Sequence, residues 1–119
     1  MKLYETVLSN DIEEVKKMIL NCDINEAEET TGFTALHYCA QNQYTDIAKL
    51  LLEHGADVDP KDNYGNTPLF KAVFFSEGKT DMIELLLKAG ADPNIKNNAG
   101  VSPKELADNI SNFDVTKCF

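Results

Sequence analysis

Apolar residues recur every three or four positions along this chain, in short runs that stop and restart. Leu3, Tyr4, Val7 and Leu8 form one stripe, and Ile12, Val15, Met18 and Ile19 form the next. Leu36, Cys39 and Ala40 make a third, and Ile47, Leu50 and Leu51 a fourth. That spacing places the side chains on one face of an α-helix. Polar breaks such as Asn10-Asp11 and Gln41-Asn42-Gln43 separate the runs. Thr34, Thr45, the Thr80-Asp81 pair and Ser102 stand where a side-chain oxygen can accept a hydrogen bond from the free amides of a first helical turn. Pro103 suits a first helical position, and Gly55 a helix end. Each predicted helix has about two to three turns and is too short to persist alone. Helix pairs are expected at 2–20, 34–54, 67–89 and 103–110, with connections near 26–31, 60–64 and 95–99.

The neighbour that each pair needs is another copy of itself. Gly32-Phe33-Thr34-Ala35-Leu36-His37 returns as Gly65-Asn66-Thr67-Pro68-Leu69-Phe70, 33 residues on. Leu50-Leu51-Leu52-Glu53-His54-Gly55-Ala56-Asp57 returns as Leu85-Leu86-Leu87-Lys88-Ala89-Gly90-Ala91-Asp92, 35 residues on, so the second copy carries two extra residues between its helices. This period is that of a stacked solenoid. Gly-x-Thr-Ala/Pro-Leu followed by Leu-Leu-x-x-Gly-Ala-Asp closely resembles the ankyrin repeat. The resemblance implies an all-α solenoid of helix pairs with β-turn fingers. One domain of four repeats, at about 1–28, 29–61, 62–96 and 97–119, would have two full central repeats between two incomplete capping ones. In the first, Asn21 to Asn25 replaces the Gly-Ala-Asp ending. In the last, Lys104 and Glu105 replace Leu and His, and Phe113, Val115 and Phe119 are placed back over the end of the stack.

Composition narrows the function. The 119 residues carry a net charge of −9 and no Arg, the reverse of the basic footprint that nucleic acid requires. Residues 1–60 hold 4 Lys against 12 Asp and Glu, and residues 61–119 hold 7 against 8. The acidity serves solubility or matches a basic partner. The three cysteines are not spaced as a metal motif, and Cys39 reads as core. Reduced thiols fit a cytoplasmic protein. The N-terminus does not read as a signal peptide, and no segment reaches the roughly 20 apolar residues of a membrane span.

Catalysis finds little support: no glycine-rich phosphate loop and no nucleophile motif occurs. No cofactor, metal, membrane or small-molecule substrate is expected. Asp57, Asp59 and Asp62 flank a finger but lack EF-hand spacing. The resemblance assigns His37 to hydrogen bonds with threonine and backbone groups of the inter-repeat turn. It implies a non-catalytic protein-binding module whose concave face joins finger tips to the first helix of each repeat. On this chain those positions are Thr30, Thr31, Phe33, Gln41, Asn42, Asn63, Tyr64, Asn66, Phe74, Phe75, Asn98 and Val101, bordered by Glu26, Glu28 and Glu29. Surface aromatics are typical binding anchors, although the inserted loop could turn Phe74 or Phe75 inward. A small, free-standing ankyrin chain of bacterial type resembles immunity proteins that occlude a toxin enzyme, basic where its target is nucleic acid. An adaptor or chaperone for a partner protein is the alternative.

Overall fold

A computed structural model describes residues 1–110 and 115–119. Seven α-helices occur among them: α1 (Leu3–Thr6), α2 (Ile12–Ile19), α3 (Ala35–Asn42), α4 (Thr45–Glu53), α5 (Pro68–Phe74), α6 (Asp81–Lys88) and α7 (Pro103–Asn109). Short 3₁₀ turns follow at Val7–Ser9 and Thr116–Cys118. Helices α1, α3, α5 and α7 stack side by side as an inner layer, and α2, α4 and α6 pack on each other as an outer layer. The fold is an ankyrin-type solenoid with two full central repeats and incomplete ones at both ends.

The apolar stripes meet between the layers. Leu36, Ile47, Leu51, Leu69, Met82, Ile83 and Leu86 are fully buried there. Each such side chain contributes about 1.5–3 kcal/mol by leaving water. Cys39 belongs to this core at 0% exposure, and burial pushes its thiol up to about 12. Val115 is fully buried and Phe119 packs on the core, as a fold-back over the stack end requires. Phe113 lies outside the described residues.

Capping follows backbone geometry. Asp11, Thr34, Thr67 and Ser102 all sit in extended conformation and accept a bond from a first-turn amide. Thr45 and Thr80 do not cap. Thr45 is already inside α4, because left-handed Gln43 (φ 61°) turns the chain one residue early and leaves Tyr44 before the helix. Thr80 precedes α6 in helical conformation, from which its hydroxyl makes no capping bond. The two extra residues form a loop in which Glu77 and Gly78 have positive φ while Ser76 is buried. Among the described residues no helix is long and apolar enough to cross a membrane.

Candidate protein-binding face

Three fingers project beside the inner helices. Each is closed by an amide donating to the carbonyl four or five residues on: Glu28 to Phe33, Asp62 to Asn66, and Asn97 to Val101, at 2.9 Å each. Finger 1 is one residue longer than the others, as the sequence indicated. Fingers 2 and 3 turn about two residues later than expected. The motif glycine closes each turn rather than following it, and Gly65 donates back to Asp62 at 2.9 Å.

A ladder ties finger to finger. The amide of Asn63 donates to the Thr31 carbonyl at 2.9 Å, and its carboxamide Nδ2 donates to the Thr30 carbonyl at 3.1 Å. Asn98 repeats this on the Tyr64 and Asn63 carbonyls at the same distances. Two of the polar contact residues read from the sequence therefore hold the fingers together. The approach is close enough that a Cβ on Gly65 would lie 2.7 Å from Asn98 Oδ1. Thr31 is engaged as well: its hydroxyl donates to Glu28 at 2.9 Å and accepts from the Phe33 amide.

Inside each turn one side-chain oxygen anchors the backbone. Asp62 Oδ1 accepts the amides of Tyr64 and Asn66, both at 2.9 Å, and Asn97 Oδ1 accepts those of Ala99 and Val101. The other atom of the group looks toward the preceding finger. Asn97 Nδ2 donates to Asn66 Oδ1 at 2.9 Å. Phe33 holds the place of Asn66 one repeat earlier and supplies no such acceptor or donor. Asp62 Oδ2 is accordingly buried without a hydrogen-bond partner. Lys71 Nζ approaches it to 3.9 Å, with side-chain exposures of 12% for Lys71 and 0% for Asp62. The turn of finger 1 has its own match, since the Tyr38 hydroxyl donates to Glu28. Burial first, then that bond, raises Tyr38 to about 12. In the last repeat neutral Asn97 needs no counter-charge, and Leu106 stands in the place of Lys71.

His37 knits two repeats. Its Nε2 donates to the Asn66 carbonyl at 2.8 Å, and its Nδ1 accepts from the Thr34 amide at 3.1 Å. A carbonyl only accepts and an amide only donates, so the ring is held as the neutral Nε2–H tautomer. Burial lowers its pKa, against the pull of the Asn66 bond. Phe33 stacks on this ring and meets Tyr38 edge-on. The Phe33 ring is thus half-buried rather than presented, its face covered by Lys71 Nζ 4.0 Å from the centroid. His54 bonds the Leu50 carbonyl at the exposed end of α4.

What remains open is aromatic. Tyr64 is 69% exposed, Phe74 60% and Phe75 40%, so neither phenylalanine turns into the core. Phe74 and Phe75 touch edge to face at 5.0 Å, and with Asn66, Phe70 and Lys71 they line a hollow of about 150 Å³. Gln41 is half-buried and Asn42 exposed on α3. Of the bordering glutamates, Glu26 pairs with Lys2 at 2.8 Å, Glu28 is bound by Tyr38 and Thr31, and Glu29 is exposed. Tyr38 and Lys71 were not singled out from sequence, Phe70 was read only as part of the repeated motif, and Asp62 only as one of three aspartates flanking a finger. The signal for two of them was an ionisable turn residue followed nine or ten positions later by a polar group on the next helix. Asp59 accepts the Asp92 amide, and no group of three or more His, Cys, Asp or Glu able to hold a metal occurs among the described residues.

Comparison with known proteins agrees with this architecture. A family model of ankyrin repeats, in three copies, matches residues 3–97. The chain is 38% identical over 65 residues to serine/threonine-protein kinase 12 of Arabidopsis thaliana, covering 55% of this chain and 14% of that one. It is 39% identical over 59 residues to ankyrin repeat protein B18 of Vaccinia virus (strain Ankara), covering 48% and 10%. It is 40% identical over 67 residues to protein phosphatase 1 regulatory subunit 27 of Mus musculus, covering 56% and 43%. The chain spans less than half the length of each of these relatives. With its repeats matched over most of its length, its fingers laddered and its helices paired, the chain belongs to the ankyrin repeat family, a family of protein–protein interaction modules.

Proposed function

We propose that the chain acts by occlusion, covering a basic surface of a partner protein with its concave face. The observation that carries this is the exposure of Tyr64, Phe74 and Phe75, three large aromatic rings left in water on a chain whose first finger is acidic. Exposed aromatics of this kind are favoured anchors, each worth about 2 kcal/mol or more when buried in an interface. The acidic residues would chiefly speed encounter, an effect that salt screens. In its sharpest form the reading is an immunity or inhibitor protein neutralising a basic toxin enzyme. An adaptor role is the second reading. It is favoured by the mouse relative, named as a phosphatase regulatory subunit, and by the kinase relative, in which the similarity covers a small part of a longer chain.

Capture of a partner from the native lysate, followed by binding kinetics, tests the proposal. Tyr64→Ala with Phe74→Ala should raise the off-rate at every salt concentration. Glu26, Glu28 and Glu29 changed together to Gln should lower the on-rate at low salt alone. Wild-type kinetics in both variants would move the interface off this face. Loss of the partner's own activity on binding supports the inhibitor, whereas an active partner held together with a third protein supports the adaptor.

A further inference from the structure

The hollow beneath Phe74 and Phe75 has a charged floor. Lys71 is the one ammonium lining it, and its charge lies 4.0 Å from the centroid of Phe33 and 5.9 Å from that of Phe75. Its nearest counter-charge, Asp62 Oδ2, is 3.9 Å away, too far for a hydrogen bond. Asp62 Oδ2 for its part has no hydrogen-bond partner. The pair is therefore electrostatically matched but not hydrogen-bonded. An ammonium has three donors, and no bond from Lys71 Nζ to a side chain or carbonyl is formed among the described residues. Lys71 is 12% exposed, so water can meet those donors in the free protein, and an oxygen of a partner would take the place of that water.

Resting on the concave-face reading above, we propose that Lys71 is the specificity residue of the groove: it receives the carboxylate of an acidic side chain of the partner, while an adjoining apolar side chain packs on Phe74 and Phe75. Charge sets the choice of occupant. An ammonium at the floor accepts an anion and repels a lysine or arginine presented at the same point. The surrounding chain is acidic, most of all in residues 1–60, and prefers a basic surround. A partner that fits carries one acidic residue inside a basic patch. A register shift would set cation against cation, which is how repulsive elements give specificity. The hollow of about 150 Å³ is of the size of one side chain, that of the acidic residue.

Three probes of one shape separate the terms: phenylpropionate, its amide and phenethylammonium, titrated into isotope-labelled protein and followed by NMR. Phenylpropionate should shift the signals of Asn66, Lys71, Phe74 and Phe75. It should bind at least about tenfold more tightly than the amide, with the ammonium weakest. In Asp62→Asn with Lys71→Leu, which copies the residue types of Asn97 and Leu106 in the last repeat, the preference for carboxylate should vanish while ring binding remains. The comparison of probes on the unaltered protein decides even if that variant folds poorly. Equal binding of carboxylate and amide overturns the role of Lys71 but leaves the aromatic groove standing. Shifts centred on Lys96 or Lys104 overturn it likewise. If none of the probes perturbs the hollow, both this inference and the groove itself fall.

Discussion

Asp62 and Lys71 can be removed singly and together, and the three outcomes differ. Lys71→Leu leaves a carboxylate whose Oδ2 is buried with neither hydrogen bond nor counter-ion. Two charges 4 Å apart attract by about 4 kcal/mol at the effective dielectric of a protein margin. Desolvation offsets much of that. An unmet buried polar group costs about 1–3 kcal/mol, and an unpaired buried charge about 3–5 kcal/mol. The 12% exposure of Lys71 lets some water in, so we expect about 2–3 kcal/mol for this variant. Asp62→Asn keeps the Oδ1 bonds to Tyr64 and Asn66 and leaves a lysine that can extend toward solvent, at about 1 kcal/mol. The double variant copies the residue types of Asn97 and Leu106 but not the acceptor that Asn66 gives Asn97, because Phe33 stands in its place. It should cost about 1–2 kcal/mol, giving a coupling of about 2 kcal/mol. Urea melts followed by circular dichroism measure all three, with unchanged m-values confirming that the folded state is comparable. Additive single effects would show that Lys71 is not the counter-charge of Asp62 and that the turn tolerates its bare carboxylate.

Leu51→Ala and Leu86→Ala each truncate a fully buried side chain between repeats and should cost about 2–5 kcal/mol in thermal or urea melts; shifts near zero in both would mean the stripes carry no packing. Gly65→Ala should destabilise well beyond Gly100→Ala. Both residues have φ of +78°, but a Cβ on Gly65 meets Asn98 at 2.7 Å, while one on Gly100 meets nothing among the described residues within 4 Å. The shared backbone strain of about 1–2 kcal/mol cancels in the difference, which then reports the ladder; equal melts would remove it as a source of stability. His37 has a lowered folded pKa, so the unfolded chain binds the proton first. Stability should decline as pH falls through the unfolded value of about 6.5, by up to about 1.4 kcal/mol per pH unit. His37→Gln should lack that slope between pH 7.5 and 5.5, approximate bounds chosen to bracket the unfolded value, and an unchanged slope would place its origin elsewhere.

The fold was legible because its instructions are local. Stripes at helical spacing, Thr34, Thr67 and Ser102 before helices, and glycines closing turns each act within a few residues. Thr45 and Thr80 misled for a related reason: residue type signals a cap, but capping also needs an extended backbone, which the turn before the helix decides. The face was less legible. Phe33 follows one motif glycine and Tyr64 precedes the next, so they hold different places in the repeat. That Phe33 is roofed follows from Lys71 on the neighbouring helix, which motif spacing alone did not bring to it. The carboxamides of Asn63 and Asn98 look like any turn asparagine until the neighbouring finger is in place. Phe74 and Phe75 depended on how the inserted residues turned.

The finger ladder also supplies its own clock. The amides of Asn63 and Asn98 lie in exposed turns, where hydrogen exchange is ordinarily fast, yet each is bonded to a carbonyl that belongs to the preceding finger. Their exchange does not require a helix to unwind; it requires two neighbouring units to part. Slow exchange at these two positions would measure the opening of one seam each, Asn63 the seam at finger 1 and Asn98 the seam at finger 2. Amides within α4 or α6 would report loss of the helix itself. A chain with few repeats thereby offers separate readings of whether it comes apart as a whole or one unit at a time.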